Sequence, residues 1–281
     1  MGLNVTPLAG ALGAVIEDAD PRDPGLDFGA VRDAVHRYEV VFFPRVHLSE
    51  EEHLAFGRRF GTPSIFPVAR LLGATEPKMT VIEDAPDARN KADEWHTDLT
   101  WTATPPAYAL LHMEVLPARG GDTLWASATA AYDALSPLMQ EFFCGLSVVH
   151  DHEIFSREVA ERGGEAAQAL LEGLDRDYPP VEHPLVRTHP ETGRRALLYA
   201  AQFARHIKGL EPAESRAVLA FIEDHVKEPA FHCRWRWSEG DLAIWDERST
   251  LHRAAADHFG HRRVIRRLEI DGDRPFFDPT R

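Results

Sequence analysis

The chain has 281 residues, of which 44% are hydrophobic and 27% are charged, and its formal net charge is −14. This acidic balance opposes broad contact with nucleic acid or with an anionic membrane, because like charges repel. The 15 Phe, 6 Trp and only 19 Gly exclude a disordered or collagen-like chain, and two cysteines outside any Cys-x-x-Cys pair exclude a disulfide scaffold and a thiolate zinc site.

Predicted elements of the first half of the chain have clear end signals. Helices are expected where apolar residues recur every three or four positions between a capping residue and a glycine, and strands where short apolar runs end at turn residues. These signals predict a helix over 28–38, a strand over 40–43, a helix from about 50 to 60, a strand over 108–115 and a helix over 137–144.

The second half of the chain is predicted to contain several short strands. A hairpin is expected around the Pro190–Gly193 turn, and a helix is expected from Pro212 to about Val226. Further strands are predicted over 231–237, 242–245 and 264–270. Many short strands with helices in the connections favour an antiparallel sandwich or barrel decorated by helices. The charged segment 151–180, with weak helical spacing, is expected to be a mobile insertion.

His96 and Asp98 form the first candidate metal-binding pair. In an extended segment, side chains two residues apart project to the same face, so the imidazole and the carboxylate would converge. His252 follows the apolar strand 242–245 and is expected just beyond its end. Two histidines and one carboxylate can hold iron(II) on one face of its octahedron and leave positions open for other ligands. The His-x-Asp tripeptide alone is weak evidence, since a surface strand can contain it by chance.

An arginine-rich strand follows this candidate ligand. Alternation places Arg263, Ile265, Arg267 and Glu269 on one face and sends Arg266 to the other. Two guanidinium groups on one face suit recognition of carboxylates, which they bind in a bidentate manner. The alternative is an exposed charge ladder paired with the abundant acidic residues.

Ordered motifs along nearly the whole chain resemble the taurine and 2,4-dichlorophenoxyacetate dioxygenases (the TauD/TfdA family). The resemblance is densest at Trp95-His96-Thr97-Asp98, Thr104-Pro105-Pro106, 120–125 (GGDTLW) and 186–190 (VRTHP). It closes with 234–237 (RWRW), 243–246 (AIWD) and 262–270. It implies a mainly β fold with flanking helices, namely a double-stranded β-helix (a jelly roll of the cupin type). It also implies a single domain over 1–281, with lid segments expected at 71–93 and 151–180.

The resemblance further implies the chemistry. Residues His96, Asp98 and His252 match the ligands of Fe(2+), while Thr123 and Arg263 match the pair that holds the distal carboxylate of 2-oxoglutarate. Arg267 matches the arginine that faces the anionic group of the substrate. The implied enzyme is an oxidoreductase that uses O2 to hydroxylate, and in some cases thereby cleave, a small anionic organic substrate, with release of succinate and CO2.

The substrate pocket is expected to differ from that of the taurine enzyme. Alignment places Phe66, Ala69 and Ala92 where that enzyme has a His, a Tyr and an Asn. A buried ammonium without an acceptor is costly, so taurine is a poor substrate candidate. An aryloxyalkanoate, an alkyl sulfate or sulfonate, or a longer carboxylic acid is expected to place its anionic head near Arg267 and its apolar body near Phe66. The family also implies a homo-oligomer (dimer or tetramer), and a cytoplasmic protein without a membrane span is expected.

Two other functions remain open from the residues alone. The same triad could bind zinc in a hydrolase or isomerase on a similar barrel, or the arginines could sequester an organic acid in a barrel without activity. Among the other histidines, His150 and His152 are the best rival metal pair and are expected to line the lid or pocket. The remaining expectations are a core position for His112 and a surface or solvated position for His36, His53, His225, His258 and His261.

Overall fold

The computed structural model describes residues 2–84, 93–258 and 261–281. Its strands are β1 Asn4–Pro7, β2 Ala14–Glu17, β3 Val40–Phe43, β4 Thr80–Asp84, β5 Tyr108–Val115, β6 Thr123–Ser127, β7 Ser147–His150, β8 Val181–Pro184, β9 Val186–Thr188, β10 Arg195–Leu197, β11 Ala204–Ile207, β12 His232–Trp235, β13 Leu242–Asp246, β14 Thr250–Ala254 and β15 Arg263–Ile270. Its helices are α1 Phe28–Tyr38, α2 Glu50–Gly57, α3 Pro67–Leu71, α4 Ala128–Asp133, α5 Pro137–Cys144, α6 Glu153–Arg162, α7 Gly164–Asp177 and α8 Pro212–His225.

A seven-stranded sheet with the order β1-β2-β3-β13-β5-β15-β4 forms the larger wall of the fold. Alternation along each strand divides the side chains between its two faces. On β3, Val41 and Phe43 belong to a cluster with α1 and α2, whereas Val40 and Phe42 belong to the cluster on the opposite face. The helices therefore cover the outer face, and the inner face remains for a second sheet.

The second wall is the antiparallel sheet β12-β6-β14. Trp125 of β6 and Cys233 of β12 pack with inner-face residues of the larger sheet, including Phe42 and Trp245, in one buried cluster. Ring contacts join the walls, since the centroids of Trp125 and Trp245 lie 5.6 Å apart. A seven-stranded wall, antiparallel except where β2 and β3 pair in parallel, faces an antiparallel three-stranded wall with helices outside. This arrangement confirms the predicted jelly-roll fold of mainly β structure.

Helices α6 and α7 occupy most of the segment predicted to be an insertion. Leu174 of α7 is fully buried in a cluster with Leu99, Trp101 and Phe203, and Phe155 of α6 packs against that cluster. At Gly173 an added Cβ would lie 3.1 Å from the side chain of Leu71, so α7 and the end of α3 are in close contact. Helices α6 and α7 therefore pack against the core next to the turn that follows His96.

Several predicted elements agree with the structure and several do not. The bounds of α1, β3, β5 and α5 match the predictions, whereas α2 ends at Gly57 instead of near residue 60. His252 lies beyond the end of β13, as predicted, but within a further strand, β14, where it pairs with Trp125. Of the described residues, no helix is both long enough and apolar enough to cross a bilayer.

The predicted surface positions of two histidines are wrong. His53 of α2 is fully buried, because α2 packs against β15. The centroid of its ring lies 5.9 Å from that of His112. His258 is also buried, with its Nε2 at 3.2 Å from Asp84 Oδ2. His36 and His225 are partly buried and hydrogen-bonded to Tyr108 and to the Ala131 carbonyl, respectively. His112 is buried as predicted.

Candidate active site

His96, Asp98 and His252 come together from two parts of the chain. His96 and His252 exchange two backbone hydrogen bonds, of 3.1 and 2.8 Å, as an isolated antiparallel bridge. Asp98 lies in the turn that follows, held in place by Thr97, whose hydroxyl donates to the Thr250 carbonyl at 2.9 Å. One ligand atom from each of the three side chains lies within 4.8 Å of the others. The convergence arises from a bridge and a turn, and not from one continuous strand.

The two imidazoles present Nε2 to the carboxylate. His96 Nε2 lies 3.5 Å from Asp98 Oδ1, and His252 Nε2 lies 3.9 Å from Asp98 Oδ2. The Nδ1 of His96 lies 2.8 Å from the Glu94 carbonyl, which fixes that nitrogen as the protonated one. Burial, followed by the charge of His96, lowers the pKa of His252 to about 3. Two imidazoles, of which His252 is held neutral, beside one carboxylate fit a divalent metal ion.

Asp98 is also held by Arg267. The guanidinium Nη1 donates to Asp98 Oδ2 at 2.9 Å, and its Nη2 lies 3.3 Å from Glu269 Oε1. Burial alone would raise the pKa of Asp98, but Arg267 and the two histidines outweigh it and hold that pKa below its usual range. Burial raises the pKa of Glu269 to about 7 despite the neighbouring guanidinium. The side chain of Asp98 therefore stays ionised and available to a cation.

Arg263 and Thr123 form a second polar group near the same end of the fold. Arg263 is buried and donates from Nη1 to Asp84 Oδ2 at 3.3 Å, while its Nε has no hydrogen-bond partner among the described residues. Thr123 Oγ1 accepts from Trp237 Nε1 at 3.0 Å, which leaves the hydroxyl proton free to be donated. Gly121, with φ of +77°, allows the backbone to lie against Arg263, because a Cβ there would be 3.1 Å from Arg263 Cδ.

A cavity of about 210 Å³ opens beside the triad. Its lining comprises Phe66, His96, Asp98, Leu99, Ile154, Phe155, Glu158, Gln202, Phe203 and Arg267. One end is therefore polar, with Arg267 and two triad members, and the walls are largely aromatic or aliphatic. Phe66, the residue before α3, meets Phe155 of α6 edge to face, with centroids 6.1 Å apart. The cavity suits a molecule with an anionic end and an apolar body.

The predicted pocket residues divide into three groups. Phe66 lines the cavity, whereas Ala69, half-buried on α3, is not among its lining residues. Ala92 lies outside the described residues. The predicted pocket histidines do not line the cavity either: His150 is bonded to Thr100 Oγ1 at 2.9 Å and His152 packs its ring against Trp101.

A second group of potential ligands, His36, His189 and Asp246, is already satisfied by hydrogen bonds. His189 Nδ1 accepts two backbone N–H groups, so its Nε2 is protonated and donates to Asp246 at 2.9 Å. Arg248 also binds both oxygens of Asp246, at 2.8 and 2.7 Å. With no imidazole lone pair from His189 left for a metal, this group is a buried polar network.

Sequence reasoning missed several residues of the site. Ile154, Phe155 and Glu158 come from α6, whose side chains could not be oriented from a weak helical pattern. Glu247 was missed as well, although the alternation of β13 contains the signal: Trp245 faces inward and Asp246 outward, so the next residue returns to the inside.

Known proteins resemble the chain throughout its length. The model of the family "Taurine catabolism dioxygenase TauD, TfdA family" matches residues 4–268. An alpha-ketoglutarate-dependent sulfate ester dioxygenase of Pseudomonas putida is 34% identical, with 97% of this chain and 91% of the relative covered. An alkylsulfatase of Acinetobacter baylyi is 32% identical, with 96% and 86% covered.

A crystal structure of a taurine dioxygenase from Burkholderia xenovorans superposes with a TM-score of 0.82 at 32% identity, covering 100% of this chain and 95% of the other. The extent of these matches excludes the zinc hydrolase and the inactive binding barrel that the residues alone left open. The chain belongs to the TauD/TfdA family and is an iron(II)- and 2-oxoglutarate-dependent dioxygenase that uses O2.

Proposed function

We propose that His96, Asp98 and His252 bind the iron(II). The main support is that one ligand atom from each of two buried imidazoles and one buried carboxylate lies within 4.8 Å of the others, beside a cavity. When bound there, iron(II) supplies the activation of O2 and the removal of a hydrogen atom from the substrate. The donor set is the two-histidine, one-carboxylate arrangement that leaves metal positions open for other ligands.

The distal carboxylate of 2-oxoglutarate is assigned to Arg263 and Thr123. Arg263 is buried, has an unpartnered Nε and makes one bond of 3.3 Å to Asp84, so it retains donors for a second carboxylate. The Thr123 hydroxyl has a proton left to donate. A guanidinium and a hydroxyl acting together fix both the charge and the orientation of the cosubstrate.

The anionic head of the prime substrate is assigned to Arg267, and its apolar body to the walls formed by Phe66, Leu99, Phe155 and Phe203. These side chains exclude water and hold a C–H bond toward the triad. Among the anions that fit, sulfate esters of alkyl alcohols are favoured, because two similar proteins are named as a sulfate ester dioxygenase and an alkylsulfatase. Hydroxylation of the carbon next to the ester oxygen would release an aldehyde and inorganic sulfate.

A substrate panel tests this proposal. The purified protein is supplied with iron(II), 2-oxoglutarate and air, and succinate is measured with hexyl sulfate, octyl sulfate, octanesulfonate, phenoxyacetate, octanoate or taurine. We expect an alkyl sulfate to raise succinate formation well above the substrate-free rate, with sulfate released in equal amount. Succinate formation that responds to taurine and not to alkyl sulfates would overturn the assignment of the substrate.

Variants of the ligands test the metal assignment. Asp98→Ala and His96→Ala are expected to abolish succinate formation, both with and without substrate, while the circular dichroism spectrum stays that of the folded protein. Wild-type turnover in either variant would show that the metal is bound elsewhere.

A further inference from the structure

Glu247 is a buried carboxylate that has no role in the functions assigned above. Only 2% of its surface is exposed, and it directly follows β13. The alternation of that strand turns Asp246 outward to its network with Arg248 and His189, and brings Glu247 back to the inside of the fold. A buried carboxylate is costly unless hydrogen bonds compensate for its lost hydration, so its partners indicate why it is there.

One oxygen of Glu247 holds the turn that contains Asp98. Its Oε2 accepts the backbone N–H of Asp98 at 3.1 Å. The other oxygen, Oε1, accepts the indole N–H of Trp245 at 2.7 Å. The carboxylate is thus anchored to the larger sheet and fixes the main chain of a proposed metal ligand.

The same anchored oxygen lies beside the second ligand. Glu247 Oε1 is 4.0 Å from His252 Nδ1. That nitrogen is buried and has no hydrogen-bond partner among the described residues, whereas the corresponding nitrogen of His96 lies 2.8 Å from the Glu94 carbonyl. Histidine ligands of metals almost always donate their second N–H to a carboxylate, carbonyl or water, which fixes the ring and its tautomer. His252 is the ligand histidine without such a partner, and Glu247 is the carboxylate next to it.

We propose that Glu247 is a positioning residue that orients both Asp98 and His252 for the metal. It holds the Asp98 backbone through Oε2 and serves through Oε1 as the hydrogen-bond acceptor for the Nδ1–H of His252, so that the proton stays on Nδ1 and Nε2 is left unprotonated for the ion. This inference rests on the proposed iron site. The hydrogen bond from the Trp245 indole fixes the orientation of the Glu247 carboxylate, since rotation of the carboxylate would break this 2.7 Å bond.

The chemistry of the three donors explains why a carboxylate is needed. The Asp98 N–H, the Trp245 N–H and the His252 Nδ1–H all require acceptors, and a carboxylate has two acceptor oxygens. The amide of glutamine has one oxygen, and its NH2 group would face at least one of these donors. Glu247→Gln keeps the volume of the side chain and removes one acceptor, so it tests hydrogen bonding and not packing.

The test measures metal affinity without turnover. Co(II) is titrated into the metal-free protein, and its visible absorption bands give both the dissociation constant and the ligand geometry. Four proteins are compared: wild type, Glu247→Gln, His252→Ala and Glu39→Gln. Glu39 is a matched control, because it is also buried but pairs with Arg194, at 3.2 Å, and is not part of the metal site. We expect Glu247→Gln to bind Co(II) roughly 10–100-fold more weakly with altered bands, and Glu39→Gln to match wild type.

The outcomes separate this inference from the proposed metal site. If His252→Ala binds Co(II) as well as wild type does, the metal assignment itself is wrong. If His252→Ala loses binding while Glu247→Gln binds as wild type does, with unchanged bands, the metal site stands and the role of Glu247 is refuted.

A second measurement needs no variant. Nitrogen-15 NMR of the imidazoles in the metal-free wild-type protein is expected to show the His252 proton on Nδ1, and a proton found on Nε2 would overturn the proposal.

Discussion

Removal of the Arg263 guanidinium should weaken 2-oxoglutarate binding more than any change on the exposed side of the same strand. Arg263 is only 4% exposed, so a carboxylate bound there would be shielded from water, and the charge-assisted pair is worth about 2–4 kcal/mol. At about 1.4 kcal/mol for each factor of ten, Arg263→Ala should raise the dissociation constant roughly 30-fold to 700-fold.

The surroundings of Arg263 sharpen this expectation. Asp84 accepts a hydrogen bond from Arg263 at 3.3 Å, and in Arg263→Ala this buried carboxylate would repel the incoming cosubstrate. Adding Asp84→Asn to Arg263→Ala should therefore restore part of the lost affinity. Arg263→Lys keeps the charge but not the planar fork, so its loss should be intermediate.

The assay is an anaerobic titration of 2-oxoglutarate into the iron(II)-loaded protein, followed by the weak visible charge-transfer band. Arg262→Ala is the matched control, because Arg262 is the preceding residue, has a largely exposed side chain and pairs with Glu83 at 2.7 Å. A dissociation constant for Arg263→Ala within twofold of wild type, with iron bound, would refute the assignment of the cosubstrate site.

Three further predictions follow from neighbouring charges. Arg267→Ala should raise the KM for the prime substrate at least tenfold, whereas Arg266→Ala, on the outer face beside His112, should lower thermal stability with an unchanged KM. Steady-state kinetics and melting curves of the two variants check this. Equal KM values in the two variants would contradict it. Glu158 lines the cavity, and its carboxylate would repel a second negative charge on the substrate. Glu158→Gln should therefore raise kcat/KM for a dianion with a charge at each end, relative to kcat/KM for the monoanion of the same length. If the ratio of the two kcat/KM values does not change, Glu158 does not select against dianions. Burial raises the pKa of Glu39 to about 7 against the opposing charge of Arg194. The pKa in an unfolded chain is about 4.3, so the native state binds this proton more tightly than the unfolded state does. The stability of the native state therefore falls as the pH rises from about 4.3 to about 7. Glu39→Gln should therefore be more stable than wild type by up to about 3 kcal/mol at pH 8 and nearly equal to it at about pH 4. Urea unfolding at the two pH values would show this, and equal gains at both would contradict the reasoning.

Local signals predicted those elements whose ends are fixed by nearby residues. Helix α5 begins at a proline after Ser136, whose side chain accepts the Met139 N–H, and it ends before Gly145, so both boundaries could be derived from the sequence. Helices α6 and α7 have no side-chain cap, and most of their residues are exposed or half-buried, so their pattern in the sequence is weak. Their position against α3 depends on contacts between distant parts of the chain.

Burial of polar residues was the least predictable feature. His53 follows three glutamates, a pattern typical of a solvent-facing helix, but the packing of α2 on β15 buries it completely. Alternation along β15 did separate Arg267, which contacts Asp98, from Arg266, which contacts His112 on the opposite side. A regular strand transmits its periodicity to the site, whereas the placement of a helix residue such as Phe155 requires knowledge of the tertiary fold.

The triad and its arginines are held by the sheets and by the bridge between His96 and His252, but much of the cavity wall comes from α6 and from Phe66, the residue before α3. The reactive centre and the surface that selects the molecule to be oxidised therefore belong to different structural units. Exchange of residues 153–177 between homologous enzymes would be a practical route to new substrate ranges, since the strands that hold the metal site would keep their register.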